Sequence, residues 1–282
     1  MYRLAPPTTT SAESYDAAVS SIKTIAHRTP YIEAAPIIQA RCDTFDGLAA
    51  TMQFDQAESS SFDVRGLSRS AMCDLYDKQF TKNIGVERIR SGIKNAAPNG
   101  LCPYCGQGSV TQLDHYLPKK QFAGTTVHPA NLVPACGDCN FAKLEYKPGP
   151  DDPPVLHPYF DAAFSVRWLT ATLTQGSLGL PKIRFSVSLS QPDPALEARL
   201  WAHMKVFKLW DRFGAWAGQS LSNYENFLRS DPGRQMTLGQ VRKDLYEMAI
   251  KQSGGRVNSW EQAAHEAMAS SDWYLDSYLK LS

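Results

Sequence analysis

Apolar residues recur at three- and four-residue spacing in the N-terminal third of the chain, which is the period of an amphipathic helix. Two sets of residues follow this period: Tyr15, Ala18, Ile22 and Ile25, and then Leu75, Tyr76 and Phe80. Between them, the serine-rich stretch 55–65 breaks the pattern and predicts an exposed loop. The sequence therefore predicts a helical N-terminal region over residues 1–97.

The C-terminal part begins with a different period. Stretches 164–173 and 183–189 alternate apolar and polar residues, which predicts a β-hairpin. Helical spacing then returns over 195–207, 209–228, 238–251 and 260–268, with Asn258 as the expected N-cap of the last helix. We interpret five tryptophans as core and helix-packing residues rather than a base-stacking platform, because they are spread at helical spacing and no cations are interleaved with them: Trp201, Trp210, Trp216, Trp260 and Trp273. Residues 162–282 are thus expected to form a hairpin followed by helices.

The middle region, residues 98–161, consists of short apolar runs broken by glycine, proline and cysteine. Its stretch 148–154, rich in proline and aspartate, cannot continue a helix and marks a boundary. Together the three regions predict a mainly α chain of the α+β class, with 43% hydrophobic residues to supply a core.

Charge and targeting patterns narrow the function classes. The net charge of +1 argues against a protein that coats nucleic acid over its whole surface. One local excess of cations exists over residues 78–95, and it fits either a solvated helix face or a surface that tracks phosphates. The N-terminus lacks the apolar run of a signal peptide, and no stretch has the length of a membrane span, so we expect a cytoplasmic protein.

Four of the six cysteines form two Cys-x-x-Cys pairs, Cys102 with Cys105 and Cys136 with Cys139. Zinc prefers four tetrahedral thiolates, and a tight turn directs both sulfurs of such a pair at one point. The pairs therefore predict a closed, structural zinc site, the alternative being four buried free thiols. The other two cysteines, Cys42 and Cys73, are expected to be buried apolar thiols.

The residues between and after these pairs resemble the HNH endonuclease family, whose fold is a ββα-metal module. The resemblance rests on Asp114-His115-Tyr116-Leu117-Pro118-Lys119, on Asn131-Leu132-Val133-Pro134, and on Cys136-Gly137-Asp138-Cys139-Asn140 followed by Lys143. It covers about 45 residues, from Cys102 to Tyr146. By this resemblance, residues 98–161 form a nuclease module built around the zinc site.

The resemblance also implies roles for single residues. His115 matches the family's general base, and Asp114 and Asn140 match its ligands for a catalytic Mg²⁺ or Mn²⁺ ion. Asn131 matches the asparagine that braces the loop between the strands. The last motif position is Asn140, where many members have histidine, and this favours a hard ion.

Lys143 and Lys119 are expected to contact substrate phosphate, although an exposed lysine such as Lys119 or Lys120 is by default only solvated. Three motif-region residues also fit less specific roles. His115 could be a core histidine, Asn140 a helix N-cap, and His128 a competing base or ligand.

The segment His157-Pro158-Tyr159-Phe160-Asp161 is similar to one in bacterial HNH proteins encoded beside ATPases in antiphage systems such as Septu. This resemblance implies an antiphage effector with an ATPase partner; the alternative is a segment that only docks the C-terminal region. We thus carry two hypotheses. The first is an endonuclease acting on nucleic acid, DNA by expectation, and the second is a zinc-ribbon binding module without catalysis.

Overall fold

The computed structural model describes residues 1–176 and 180–279. It divides into two compact units, Tyr2–Ala162 and Ala163–Ser282, the second of which includes Met1. The predicted helical region 1–97 and the predicted module 98–161 lie within the same unit. We describe each unit by itself.

The first unit begins with helices, and two of them have side-chain N-caps that the sequence provides. Thr10 caps the first helix through a capping box with Glu13, and Ser68 caps the third. The predicted loop 55–65 contains a short 3₁₀ turn over Ser59–Phe62, with Phe62 buried. The helical segments of this region are α1 (Ser11–Ser20), α2 (Ile25–Thr51), α3 (Arg69–Asp74), a π-helical turn (Leu75–Phe80) and α4 (Glu87–Asn95).

The hydrophobic core of this unit joins the helices to the motif region. Periodic residues such as Tyr15, Ala18 and Leu75 are buried in it, while Ile25 at the end of the predicted stripe is 59% exposed. Leu113 and Leu132, which belong to the motif region, lie in the same cluster. The helices therefore support the motif region directly, through shared apolar burial.

The motif region forms an antiparallel hairpin and a helix. Strand β1 (Gln112–His115) pairs with β2 (Leu132–Ala135), with His115 opposite Leu132 and Gln112 opposite Ala135. Helix α5 (Gly137–Lys143) follows directly, with Cys136 at its N-cap. This ββα arrangement, with the helical regions, confirms the predicted α+β class.

The second unit contains the second hairpin and the remaining helices. Strand β3 (Leu169–Gln175) pairs with β4 (Pro181–Val187) in antiparallel register, Thr174 lying opposite Lys182. The four predicted helices are present, and two short ones, α8 and α11, were not predicted. The helices are α6 (Pro194–Val206), α7 (Leu209–Leu228), α8 (Asp231–Arg234), α9 (Leu238–Ser253), α10 (Trp260–Ala269) and α11 (Asp272–Leu279).

Three expectations about single residues need correction. Ser259, not Asn258, caps α10; the Asn258 side chain instead accepts hydrogen bonds from the backbone N–H groups of Trp168 and Leu169. Trp260 is buried, but Trp201 is 47% exposed and so is not a core residue.

Cys42 is buried as expected, whereas Cys73 is only half-buried. In the described part of the chain, no helix combines the length and the apolar character needed to cross a membrane.

Candidate metal centre and active site

The four paired cysteines converge. The sulfur atoms of Cys102, Cys105, Cys136 and Cys139 all lie within 4.8 Å of one another, and all four residues are buried. The Sγ atoms of Cys105 and Cys136 are 3.9 Å apart, close to the roughly 3.8 Å edge of a tetrahedron with Zn–S bonds of about 2.3 Å. The donor set and its spacing fit one structural zinc ion.

Backbone groups support this cluster. The N–H of Gly108 donates to Cys105 Sγ at 3.3 Å, and the N–H of Cys139 donates to Cys136 Sγ at 3.4 Å. Hydrogen bonds from Cys102 and the other two cysteines lower the pKa of Cys105, so its thiolate is favoured. A Cβ atom at Gly108 would lie only 2.7 Å from Cys136 Cβ and Sγ, so the loop approaches the cluster too closely for any side chain.

Asp114 lies at the centre of a buried polar group. Its carboxylate accepts a hydrogen bond from the Tyr104 hydroxyl at 2.9 Å and pairs with Lys143 Nζ at 3.2 Å. Lys143 also donates to the backbone carbonyl of His115 at 2.6 Å. The side chains of this ion pair are only 1% and 3% exposed. Lys143 therefore fixes the end of β1 to α5, rather than lying at a surface where a phosphate contact was expected.

His115 is buried, with 9% of its surface exposed. Its Nε2 atom lies 2.8 Å from the carbonyl oxygen of Thr126, and the Tyr76 ring packs edge-on at 4.3 Å between centroids. Because a carbonyl only accepts, Nε2 carries the proton and Nδ1 presents the lone pair. Burial lowers the pKa of His115 to about 3, opposed by the Thr126 hydrogen bond and assisted by the charges of Lys119 and Lys143. The imidazole is therefore neutral near pH 7.

Asn131 is fully buried and joins two segments of the loop that connects β1 to β2. Its Oδ1 accepts from the N–H of Leu117 at 2.7 Å, and its Nδ2 donates to the carbonyls of Leu117 and Thr125 at 3.1 and 3.2 Å. The side chain thus holds the chain after β1 against the turn before β2. Thr126, which orients His115, follows Thr125 directly, so Asn131 also steadies the group that sets the imidazole tautomer.

Asn140 lies in α5, one turn before Lys143. Its Nδ2 atom donates to Gln112 Oε1 on β1. Its Oδ1 atom accepts no hydrogen bond from the described residues and could serve as a metal ligand. The N-cap of α5 is Cys136, so Asn140 does not cap this helix. A carboxylate and an amide oxygen suit Mg²⁺ or Mn²⁺, so Asp114 and Asn140 are the residues that could hold such an ion.

Lys119 lies over the Tyr76 ring, and its charge acts on the His115 imidazole. Its ammonium group pairs with Asp77 and lies 4.9 Å from the centroid of the Tyr76 ring, which itself packs on His115. The side chain is 23% exposed, so it is accessible to a ligand. Lys120 is more exposed and pairs with Glu145 at 3.0 Å.

Most cations of the basic segment 78–95 have intramolecular partners. Lys78 pairs with Asp74 at 2.8 Å, Arg90 with Glu87, and Lys94 donates to the carbonyl of Thr111 at 2.8 Å. Within the described residues, Lys82 and Arg88 have no ion-pair partner. The segment therefore acts chiefly within the fold, and only those two cations remain available to a ligand.

The remaining histidines of the region have packing roles. His128 Nε2 lies 2.9 Å from a carboxylate oxygen of Asp46. His157 is fully buried and contacts Tyr116 at 4.2 Å and Phe54 at 5.6 Å between ring centroids. The segment 157–161 thus holds the end of this unit onto its aromatic core.

Three contributors to this site were not identified from sequence: Tyr104, Thr126 and Tyr76. Tyr104 lies between the first two cysteines, so its position beside the hairpin could have been suspected. Thr126 acts through its backbone and Tyr76 comes from the helical region, and neither leaves a signal in the sequence.

Comparison with known proteins gives two matches. The family model described as HNH endonuclease matches residues 102–144. The chain is also 23% identical over 293 residues to "Protein ea31" of Escherichia phage lambda, an alignment that covers 96% of this chain and 98% of that protein. No solved structure matches the chain significantly.

Proposed function

We propose that this chain is a metal-dependent HNH endonuclease that hydrolyses phosphodiester bonds, with DNA as its substrate. The observation that carries the proposal is the family match over 102–144, which spans both cysteine pairs and the four motif residues Asp114, His115, Asn131 and Asn140. A zinc-ribbon binding module has no use for a neutral imidazole held in one tautomer directly after a buried carboxylate in the same strand. A binding module without catalysis is therefore not favoured.

His115 acts as the general base in this proposal. The Thr126 carbonyl holds the proton on Nε2, so Nδ1 is the atom that removes a proton from the attacking water. The pKa of His115 is low in the protein without substrate, so the ring is neutral and its Nδ1 lone pair is available to accept a proton. A substrate phosphate beside the ring opposes the charges of Lys119 and Lys143 and raises the pKa of His115 toward the range in which a base is efficient.

Asp114 and Asn140 would hold the catalytic ion, Mg²⁺ or Mn²⁺, and that ion would offset charge on the phosphate and on the leaving oxygen. Lys143 holds the Asp114 carboxylate in place through their buried ion pair and is therefore a positioning residue. Lys119 contacts substrate phosphate, since it is the accessible cation nearest to the packed Tyr76 and His115 rings. Asn131 acts on geometry alone.

We further propose that the nuclease is the effector of an antiphage system and works with an ATPase partner. The support is the resemblance of segment 157–161 to such proteins. The buried aromatic packing of His157 suits a structural role for this segment, so the partner surface lies elsewhere.

A cleavage panel tests the nuclease assignment. The zinc-loaded protein is incubated with plasmid DNA and with tRNA, in Mg²⁺, in Mn²⁺ and without added divalent ion. We expect DNA cleavage that needs the added ion and is lost in His115→Ala. His27→Ala is the matched control, because His27 is exposed on α2, and it should cut like the parent. Equal cleavage by His115→Ala would reject the base, and cleavage of tRNA alone would reject DNA as the substrate.

A further inference from the structure

The second unit contains a groove of about 470 Å³ beside β4, outside the motif region. Two tryptophans line it, Trp201 from α6 and Trp210 from α7, together with Lys182 and Arg184 from β4. These four side chains come from three separate elements. The groove therefore combines aromatic and cationic groups that the sequence keeps apart.

The two indoles form a pair whose surface remains accessible. Their ring centroids are 4.8 Å apart and their planes are tilted by 46°. Trp201 is 47% exposed, and Trp210 is half-buried. A large aromatic ring left this accessible is unusual for a residue that only packs a helix, since tryptophan gains most of its stabilisation from burial.

The charges along the groove favour an anion. Lys182 and Arg184 lie two positions apart in β4, with the buried Ile183 between them, and both are exposed. Neither has an ion-pair partner among the described residues. One carboxylate, Asp211, also lines the groove; it can accept a hydrogen bond from the amino group of a base. Cations beside exposed aromatic faces are the combination that binds unpaired nucleotides.

We propose that this groove binds a single-stranded segment of nucleic acid, with bases stacked on Trp201 and Trp210 and phosphates against Lys182 and Arg184. The proposal rests on the proposed nuclease function and adds to it the form of the bound strand. A duplex does not fit this chemistry, because its base faces are already stacked on one another. In this proposal Trp201 and Trp210 also stack bases, a role that the sequence did not indicate because the cations lie on β4.

Tryptophan fluorescence is a selective probe for the unit that contains this groove. All six tryptophans lie at or after residue 168, so none belongs to Tyr2–Ala162. Quenching by a stacked base therefore reports on the second unit alone. The full-length, zinc-loaded His115→Ala protein is titrated with a 12-nucleotide oligothymidine and, separately, with a duplex of the same length, without added magnesium. We expect saturable quenching by the single strand and at least fivefold weaker binding of the duplex.

Variants assign the binding to the four side chains. Trp201→Leu should weaken oligothymidine binding by about tenfold, whereas Trp201→Phe, which keeps an aromatic face, should recover most of the affinity. Trp273→Leu changes another exposed tryptophan of this unit that does not line the groove and should bind like the parent. Lys182→Gln with Arg184→Gln should reduce the salt dependence of log K by about 1.4, for two phosphate contacts on a single strand. Lys251→Gln, whose side chain is 72% exposed, should leave this dependence unchanged.

The outcomes separate this proposal from the nuclease assignment. Unchanged binding in Trp201→Leu, equal quenching by the duplex, or equal binding of heparin would overturn the groove as a single-strand site. Quenching that depends on Trp201 in a parent protein that cleaves nothing would support the groove and reject the nuclease. Cleavage by a parent protein whose fluorescence is not quenched would support the nuclease and reject the groove as a single-strand site.

Discussion

The buried pair of Lys143 and Asp114 gives a sharp prediction about stability. In Lys143→Met, a side chain of similar length replaces the lysine, and the 3% exposed Asp114 carboxylate loses its counter-ion. The Tyr104 hydroxyl remains as a hydrogen-bond donor, but it carries no charge. The carbonyl of His115 also loses its donor.

The size of the effect follows from burial. Breaking a buried pair by removing one partner destabilises a protein by about 3–5 kcal/mol, because an uncompensated charge remains inside. A Coulomb estimate at 3.2 Å with an effective dielectric constant near 20 gives about 5 kcal/mol, which agrees. For a unit of this size, such a loss lowers the midpoint of thermal unfolding by about 10 °C. Lys120→Met removes the exposed pair with Glu145 and should cost at most about 1 kcal/mol.

The assay must observe the first unit. Tryptophan fluorescence does not, because all six tryptophans lie in the second unit. Zinc release into a chromophoric chelator during a thermal ramp reports on the first unit, because all four cysteines lie in it. We expect earlier zinc release in Lys143→Met and partial recovery when Asp114→Asn is added, since the orphaned charge is then gone. The reasoning would be refuted if Lys143→Met lowered the temperature of zinc release no more than Lys120→Met does. It would also be refuted if the double variant released zinc at a lower temperature than Lys143→Met.

Three further predictions concern the same unit. The folded-state pKa of His115 is about 3, below the unfolded value near 6.5, so the unfolded chain gains a proton first on acidification. The free energy of unfolding that His115 contributes above pH 6.5 is thus lost as the pH falls toward 3, by about 2 kcal/mol at pH 5. Denaturant titrations at pH 7 and pH 5 should show a smaller loss in His115→Asn than in the parent protein. Gly108→Ala should speed zinc release at least tenfold, because its Cβ meets Cys136 at 2.7 Å, whereas Gly92→Ala, with nothing within 4 Å, should not. Asn131→Ala removes the hydrogen bonds to Leu117 and Thr125, so it should lower kcat by about 10²-fold while the zinc content stays unchanged. An unaltered kcat would contradict the bracing role of Asn131.

The parts of this fold that were predictable from sequence depend on short-range patterns. The cysteine pairs, the hairpins and the longer helices follow from spacing within a few residues. The burial of Lys143 does not, because it depends on which turn of α5 packs on β1. The accessible pair Trp201 and Trp210 was also missed, since its cations lie on β4. In each case the deciding neighbour is distant in sequence.

The zinc cluster also makes the order of events during synthesis matter. The first cysteine pair leaves the ribosome well before the second, and α5 begins at Gly137, directly after Cys136 at its N-cap. A nascent chain therefore lacks both the closed cluster and the helix that carries Asn140 and Lys143 until that second pair has emerged and captured zinc. In a cell short of zinc, this polypeptide would accumulate without a folded hairpin and α5. The zinc supply therefore limits the fraction of newly made chains that fold.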